Sequence, residues 1–200
     1  KKKKTEIDFT DGPYLSENAT STTLTPSGTT GSVNITASAS TFAATDVGRL
    51  VSFSNGRAKI TGFTNDTVVA ATTQDDFDNT NAVTAWKLGA FSGTTGHPSC
   101  VSFFEQRLVF AGTIAEPQTL YFSKAGDYEN MTTGTNADDA MVYTIASNQV
   151  NRIRYLKSVR TLLVGTSGGE FTVSADGTDA AITPTNIVIK KQSSYGTANV

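Results

Sequence analysis

The sequence is poor in the residues that chemistry is usually built from. Its 200 residues include one cysteine, one histidine and one tryptophan. A single cysteine, Cys100, excludes an internal disulfide framework. Lying among Pro98, Val101 and Phe103, it reads as a small buried apolar residue and not as a reactive thiol. A single histidine, His97, excludes a histidine metal cluster. With Cys100 it makes one Cys–His pair where zinc needs four ligands, and no third group orients the pair for nucleophilic catalysis.

Charge is also scarce. Charged residues make up 17% of the chain and the net charge is −2, so no basic balance exists to hold nucleic acid. The only basic run, Lys1, Lys2, Lys3 and Lys4, reads as a solvated tail. No apolar run approaches the ~20 residues of a membrane helix, and no secretion signal is visible. The Asn-x-Thr triplets at Asn18, Asn34, Asn65 and Asn130 therefore read as chance in a threonine-rich chain. Helical periodicity is nearly absent, and residues 40–47 support one helical turn at most.

Thr, Ser, Gly, Ala and Asn fill the space these absences leave. Thr and Val favour strands, and Gly, Asn and Ser favour turns, so the composition predicts an all-β protein with many short connections. Candidate strands in the first region are 22–25, 33–37, 49–53, 58–63, 67–72 and 83–88. Leu50-Val51-Ser52-Phe53 and Lys59-Ile60-Thr61-Gly62-Phe63 alternate as half-buried strands do. Asn55-Gly56 between them predicts the hairpin turn, and Asn65-Asp66 the next one. Asp46-Val47-Gly48-Arg49 reads as a tight lead-in to a strand, with Gly48 supplying backbone freedom. Together these predict a small β-barrel or sandwich. The Gly- and Thr-rich stretch 91–97 before Pro98 is the best boundary. The expected organisation is an extended segment at 1–20, a small barrel-like domain at 21–92 and a further β domain at 93–200.

That last region carries a repeat. Val101-Ser102-Phe103-Phe104, Arg107, Leu108-Val109-Phe110-Ala111-Gly112 and Leu120-Tyr121-Phe122-Ser123-Lys124-Ala125-Gly126 form the first unit. The second is Ile153-Arg154-Tyr155-Leu156, Arg160, Leu162-Leu163-Val164-Gly165 and Phe171-Thr172-Val173-Ser174-Ala175-Asp176-Gly177. An antiparallel meander at this period marks a β-propeller blade, and 141–145 and 187–191 supply outer or lead-in strands. Two blades do not close a propeller, so the expectation is an incomplete one in a truncated chain or one whose edges partners cover.

The polar clusters read as framework. Asp75, Asp76 and Asp78 beside Asn79 suggest a solvated hairpin loop, lacking the spacing of a calcium loop. Asp138-Asp139 with Asp127 and Glu129 form a second acidic loop, and nothing in the spacing requires a paired-carboxylate glycosidase. Thr166-Ser167-Gly168-Gly169-Glu170 lacks the helix and the Lys-Ser/Thr of a phosphate loop and reads as a tight turn. Ser174-Ala175-Asp176-Gly177-Thr178 is only faintly similar to an Asp-box turn. Arg107 and Arg160 recur at matching repeat positions, which predicts buried or half-buried arginines on strand-end carbonyls or a carboxylate. Trp86 reads as a core or inter-domain plug. No residue is assigned a catalytic, cofactor-binding or metal-binding role.

An ordered set of motifs spans nearly the whole chain. Asp11-Gly12-Pro13-Tyr14-Leu15, Phe42, Asp46-Val47-Gly48-Arg49, Ala58-Lys59-Ile60-Thr61 and Trp86-Lys87-Leu88-Gly89 make one half. Pro98-Ser99-Cys100-Val101, Glu105 through Gly112, Pro117-Gln118-Thr119, Ser123, Gly126-Asp127-Tyr128 and Leu163 through Glu170 make the other. Together they resemble the tail nozzle proteins (tail tubular protein B family) of short-tailed, podovirus-type bacteriophages and related prophages. The first region is also similar, in fold only, to the small barrel likened to the first catalytic cysteine half-domain of ubiquitin-activating enzymes. The resemblance implies a non-enzymatic virion protein of the phage tail, assembled in the bacterial host cytoplasm and needing no cofactor. It implies a homo-oligomeric ring, a hexamer, contacting tail adaptor and fibre proteins, through which genomic DNA passes without specific binding. It also implies that this chain is an N-terminal portion, with no membrane span. A receptor- or glycan-binding tail module is the alternative, with Trp86, Phe91 or Tyr128 as its aromatic platform. A propeller-based glycoside hydrolase is the third reading.

Overall fold

The computed structural model describes residues 9–146, 150–177 and 180–198. It is all-β, with one short 3-10 turn at Ala44–Asp46 among the described residues. No helix among the described residues is long and apolar enough to cross a membrane. The chain divides into two compact units: Pro13–Gly96, and Lys1–Gly12 together with His97–Val200.

The unit Pro13–Gly96 is a curled, barrel-like sheet. Its strands are β1 (Leu24–Pro26), β2 (Ser32–Ala37), β3 (Leu50–Phe53), β4 (Gly56–Asn65), β5 (Val68–Asp75) and β6 (Trp86–Leu88), in the order β1-β2-β5-β4-β3-β6. Alternation decides what each strand buries. Val33, Ile35 and Ala37 of β2, Ala58 and Ile60 of β4, and Val69 and Ala71 of β5 face one core with Leu24, Val51 and Phe53. Three register shifts between β4 and β5 bend this sheet, as bulges do. The curl brings its two ends together: Leu24 and Val83 exchange N–H···O bonds of 2.9 Å, while Trp86–Leu88 pairs with β3. Residues 13–18 run along β6, with Leu15 N–H bonded to Leu88 O and Asn18 N–H to Trp86 O, both 2.9 Å.

The β3–β4 turn corrects the sequence reading by one residue. Phe53 pairs with Gly56, so Ser54 (φ 49°) and Asn55 (φ 57°) are the central residues, and not Asn55-Gly56. Packing sets this register. Phe77 stacks on Phe53 (ring centroids 4.3 Å apart), and a Cβ on Gly56 would meet its ring at 2.7 Å and Asp76 O at 2.6 Å. A slip of one residue would turn the inward residues outward.

The second unit holds two propeller-like four-stranded antiparallel sheets. The first contains β7 (Cys100–Phe104), β8 (Arg107–Ala111), β9 (Thr119–Phe122) and β10 (Met141–Thr144). The second contains β11 (Ile153–Ser158), β12 (Leu162–Thr166), β13 (Gly169–Ala175) and β14 (Ile187–Ser193). Each is a plain meander, so β10 and β14 are the fourth strands of their own sheets. Cys100, Val109, Leu120, Phe122 and Met141 of the first sheet share one core with Ile153, Leu162, Val164, Phe171 and Val173 of the second. Burying side chains of this size contributes roughly 1.5–3 kcal/mol apiece for the larger ones.

Residues 9–12 belong to this unit through long-range bonds. Phe9 meets Phe110 edge-on at 5.9 Å, Thr10 N–H donates to Glu129 O (2.9 Å), and Met131 N–H donates to Asp11 O (2.8 Å). The barrel is thus inserted between Gly12 and His97.

Candidate functional site

The two most developed polar networks are each built on a buried arginine. In the first blade-like sheet, Glu105 (φ 46°) and Gln106 (φ 60°) form the β7–β8 turn, and Arg107 opens β8 opposite Phe104. Arg107 is 2% exposed. Its Nη1 donates to Ser123 O (2.8 Å), Asp139 O (2.7 Å) and Asp138 O (3.2 Å), and its Nη2 to Ala137 O (2.6 Å). One guanidinium therefore holds the 137–139 loop against the end of β9. Burial lowers its pKa, and the negative field of Asp138, Glu105 and Asp139 offsets part of that shift.

The loop has its own bracing. Ser123 Oγ accepts from Leu108 N–H and donates to Lys124 O, both at 2.9 Å. Asp139 Oδ2 accepts from Asn136 N–H (2.9 Å), and Asp139 Oδ1 lies 3.1 Å from Lys124 Nζ. The backbone bond to Asn136, with help from Lys124, holds the Asp139 carboxyl below its ordinary range. The same carboxylate raises the Lys124 ammonium.

In the barrel, Asp46 and Arg49 pair at 2.9 Å with both side chains buried. Arg49 Nε donates to Gly89 O, Asp46 Oδ2 accepts from Ala43 N–H (2.9 Å), and Thr94 Oγ1 donates to Asp46 Oδ1 (3.3 Å). Gly48 between them adopts φ 94°, the freedom expected of it. Arg49 Nη2 is buried without a hydrogen-bond partner among the described residues. Desolvation lowers the arginine pKa, and Asp46 opposes this. The sequence reading saw a strand lead-in here and missed the ion pair. The available signal was two opposite charges three residues apart around a glycine.

The remaining candidates fall into place separately. Cys100 is buried in the blade core, with Sγ 3.7 Å from Ile153 O, while His97 is exposed. Among the described residues no three His, Cys, Asp or Glu side chains are grouped to hold a metal. Asp75 ends β5, and Asp76 and Asp78 begin the β5–β6 connection and not a hairpin loop, since β5 and β6 do not pair. Asp75 binds Arg57 (2.9 Å), Asp78 accepts from Asn55 (2.6 Å), and Phe77 between them is buried.

Thr166 and Gly169 close the β12–β13 hairpin around Ser167-Gly168, the tight turn expected. Thr178 of the Asp-box-like stretch lies outside the described residues, as do Lys1, Lys2, Lys3 and Lys4. Trp86 packs at the edge of the barrel core and donates from Nε1 to Thr22 O (2.9 Å). Phe91 is half-buried, and Tyr128 is exposed.

Arg160 corrects the repeat reading. It is exposed, because the β11–β12 turn is one residue longer than the two-residue β7–β8 turn and ends the arginine in the turn itself. The position corresponding to Arg107 is filled by Leu162. The Asn-x-Thr triplets also do more than chance suggested. Asn18, Asn65 and Asn130 each accept the N–H of the threonine two residues on, at 2.9–3.1 Å, as turn-closing side chains do.

No protein-family model and no curated protein matches this sequence.

Proposed function

We propose that this chain is a structural protein of a bacteriophage tail, a part of the nozzle through which a short-tailed phage passes its genome. The observation that carries the reading is the use to which the chain puts Asp46, Arg49, Gly89, Arg107 and Ser123, residues that also carry the resemblance. Their side chains and carbonyls bind one another and the chain's own backbone, deep inside each unit. Such residues fix a shape. The curled sheet of Pro13–Gly96 also agrees with the small barrel to which the first region is similar.

On this reading the protein is not an enzyme and uses no cofactor. Six copies form a ring in the virion, after assembly in the host cytoplasm, and the ring contacts tail adaptor and fibre proteins. DNA moves past a mildly acidic surface that repels it instead of holding it. Native mass spectrometry of the chain, alone and with a tail adaptor ring, tests the proposal. Closed homo-oligomers or adaptor-bound copies are expected. A strictly monomeric chain that ignores the adaptor overturns it, and low-salt binding of duplex DNA by the assembled ring overturns its conduit role.

A further inference from the structure

The two blade-like sheets differ sharply in charge. The first sheet and its loops carry Glu105, Glu116, Asp127, Glu129, Asp138 and Asp139 against Arg107 and Lys124, both already engaged internally. The described residues of the second carry Arg152, Arg154, Lys157, Arg160, Lys190 and Lys191 against Glu170 and Asp176.

Strand register turns part of this charge into a surface. Leu162, Val164, Phe171 and Val173 face the core, so their neighbours face away. Lys157, Leu163, Thr172 and Lys190 then lie side by side across all four strands, the two lysines exposed and the middle pair half-buried. In the next row Tyr155 covers Gly165, where a Cβ would meet its ring at 2.0 Å, and its hydroxyl donates to Glu170 (3.2 Å).

The first sheet offers the counterpart. On its edge strand β7, Cys100 and Phe104 point inward and leave Val101 and Phe103 60% and 59% exposed. Phe103 meets Tyr128, itself 41% exposed, edge-to-face at 5.1 Å. Gly126 N–H bonds to Gln106 O and Ala125 N–H to Asp138 O, which brings exposed Asp127 and Asp138 to the rim of this apolar cluster, beside Glu105, whose carboxylate accepts from Ile182 N–H (2.6 Å).

We infer that these are the two halves of one head-to-tail interface: the lysine-bearing outer face of the β11–β14 sheet receives the Val101–Phe103–Tyr128 cluster and its acidic rim from a second copy. The inference rests on the ring-forming reading and deepens it by naming the surfaces. A second copy is the occupant that matches the charge, since the same chain carries both complements. Nucleic acid fits the basic face less well, because Leu163, Tyr155 and Glu170 interrupt it. The aromatic pair supplies the buried anchor, and the charges set partner and register. Two unlike surfaces in contact make a heterologous interface, the kind from which rings are built when the rotation between copies closes.

Sedimentation velocity on the full chain tests this with two charge-reversed variants, Lys157→Glu/Lys190→Glu and Asp127→Lys/Asp138→Lys, each checked for native circular dichroism. All four side chains are exposed. Each variant alone should self-associate about tenfold more weakly or worse. An equimolar mixture should assemble again, because one junction between unlike variants is native and the other pairs the two reversed charge sets with each other. Phe103→Ser should weaken assembly without changing charge. Wild-type-like assembly of either variant, or a mixture that stays monomeric, overturns the interface and leaves the ring reading standing. A monomeric wild type overturns the interface, and the ring reading falls with it when the chain also ignores the adaptor. Duplex DNA bound by the wild type and lost in Lys157→Glu/Lys190→Glu, with assembly unchanged, assigns the basic face to nucleic acid and overturns the inference.

Discussion

Arg107 shows how much one side chain can hold. Its guanidinium satisfies carbonyls from Ser123, Ala137, Asp138 and Asp139, and lysine has neither the reach in two directions nor the planar fork to replace it. Arg107→Lys should lower stability by about 2 kcal/mol, since at least one buried carbonyl loses its donor. Arg160→Ala should stay within about 0.5 kcal/mol, as an exposed turn residue. Urea midpoints of the two variants give the comparison, and equal losses would sink it. The Asp139 carboxyl is held low, so its contribution is complete above the ordinary aspartate range and is lost as pH falls through the lowered value. The amide of Asn136 should therefore lose exchange protection only in acid, below ordinary carboxylate titration. In Asp139→Asn that acid step should vanish; a step that persists would assign it to another group. The burial of Arg107 on strand-end carbonyls was legible in the sequence, but the exposure of Arg160 was not. One extra turn residue separates Arg160 from the role of Arg107, and no local pattern reports that.

Strands were the most legible elements, because alternation in a segment such as 33–37 is imposed by a core on one side only. Turns were less so. Asn-Gly is a strong local signal, yet here the stacking of Phe77 on Phe53 chose the register and moved the turn to Ser54-Asn55. Asn55→Gly should consequently be tolerated, since glycine takes φ 57° without strain and only the exposed bond to Asp78 is lost. Gly56→Ala should cost about 1–3 kcal/mol through its clash with Asp76 O and Phe77. Thermal unfolding of the pair decides the matter; if Asn55→Gly proves the more damaging, the register argument fails.

At the scale of the molecule there are two separate cores, and the signals the sequence offered for a division were the Gly- and Thr-rich stretch 91–97 and the repeat beyond it. The attachment of residues 9–12 to Glu129, Asn130 and Met131 was not, because a contact across some 120 positions leaves no local pattern. Trp86, the only tryptophan, packs on the barrel core and reports on that unit. Ile60→Ala in the barrel and Leu162→Ala in the blade core should each cost about 2–5 kcal/mol. Only Ile60→Ala should move the unfolding transition seen by tryptophan fluorescence. A matching shift from Leu162→Ala would mean that the two cores melt as one. The insertion of the barrel between Gly12 and His97 has a mechanical corollary. Tension drawn along the chain from Phe9 toward the blade sheets bears first on the bonds joining Thr10 and Asp11 to Glu129 and Met131. While those bonds hold, the barrel hangs off the load path as a side branch, and it stretches only after they tear.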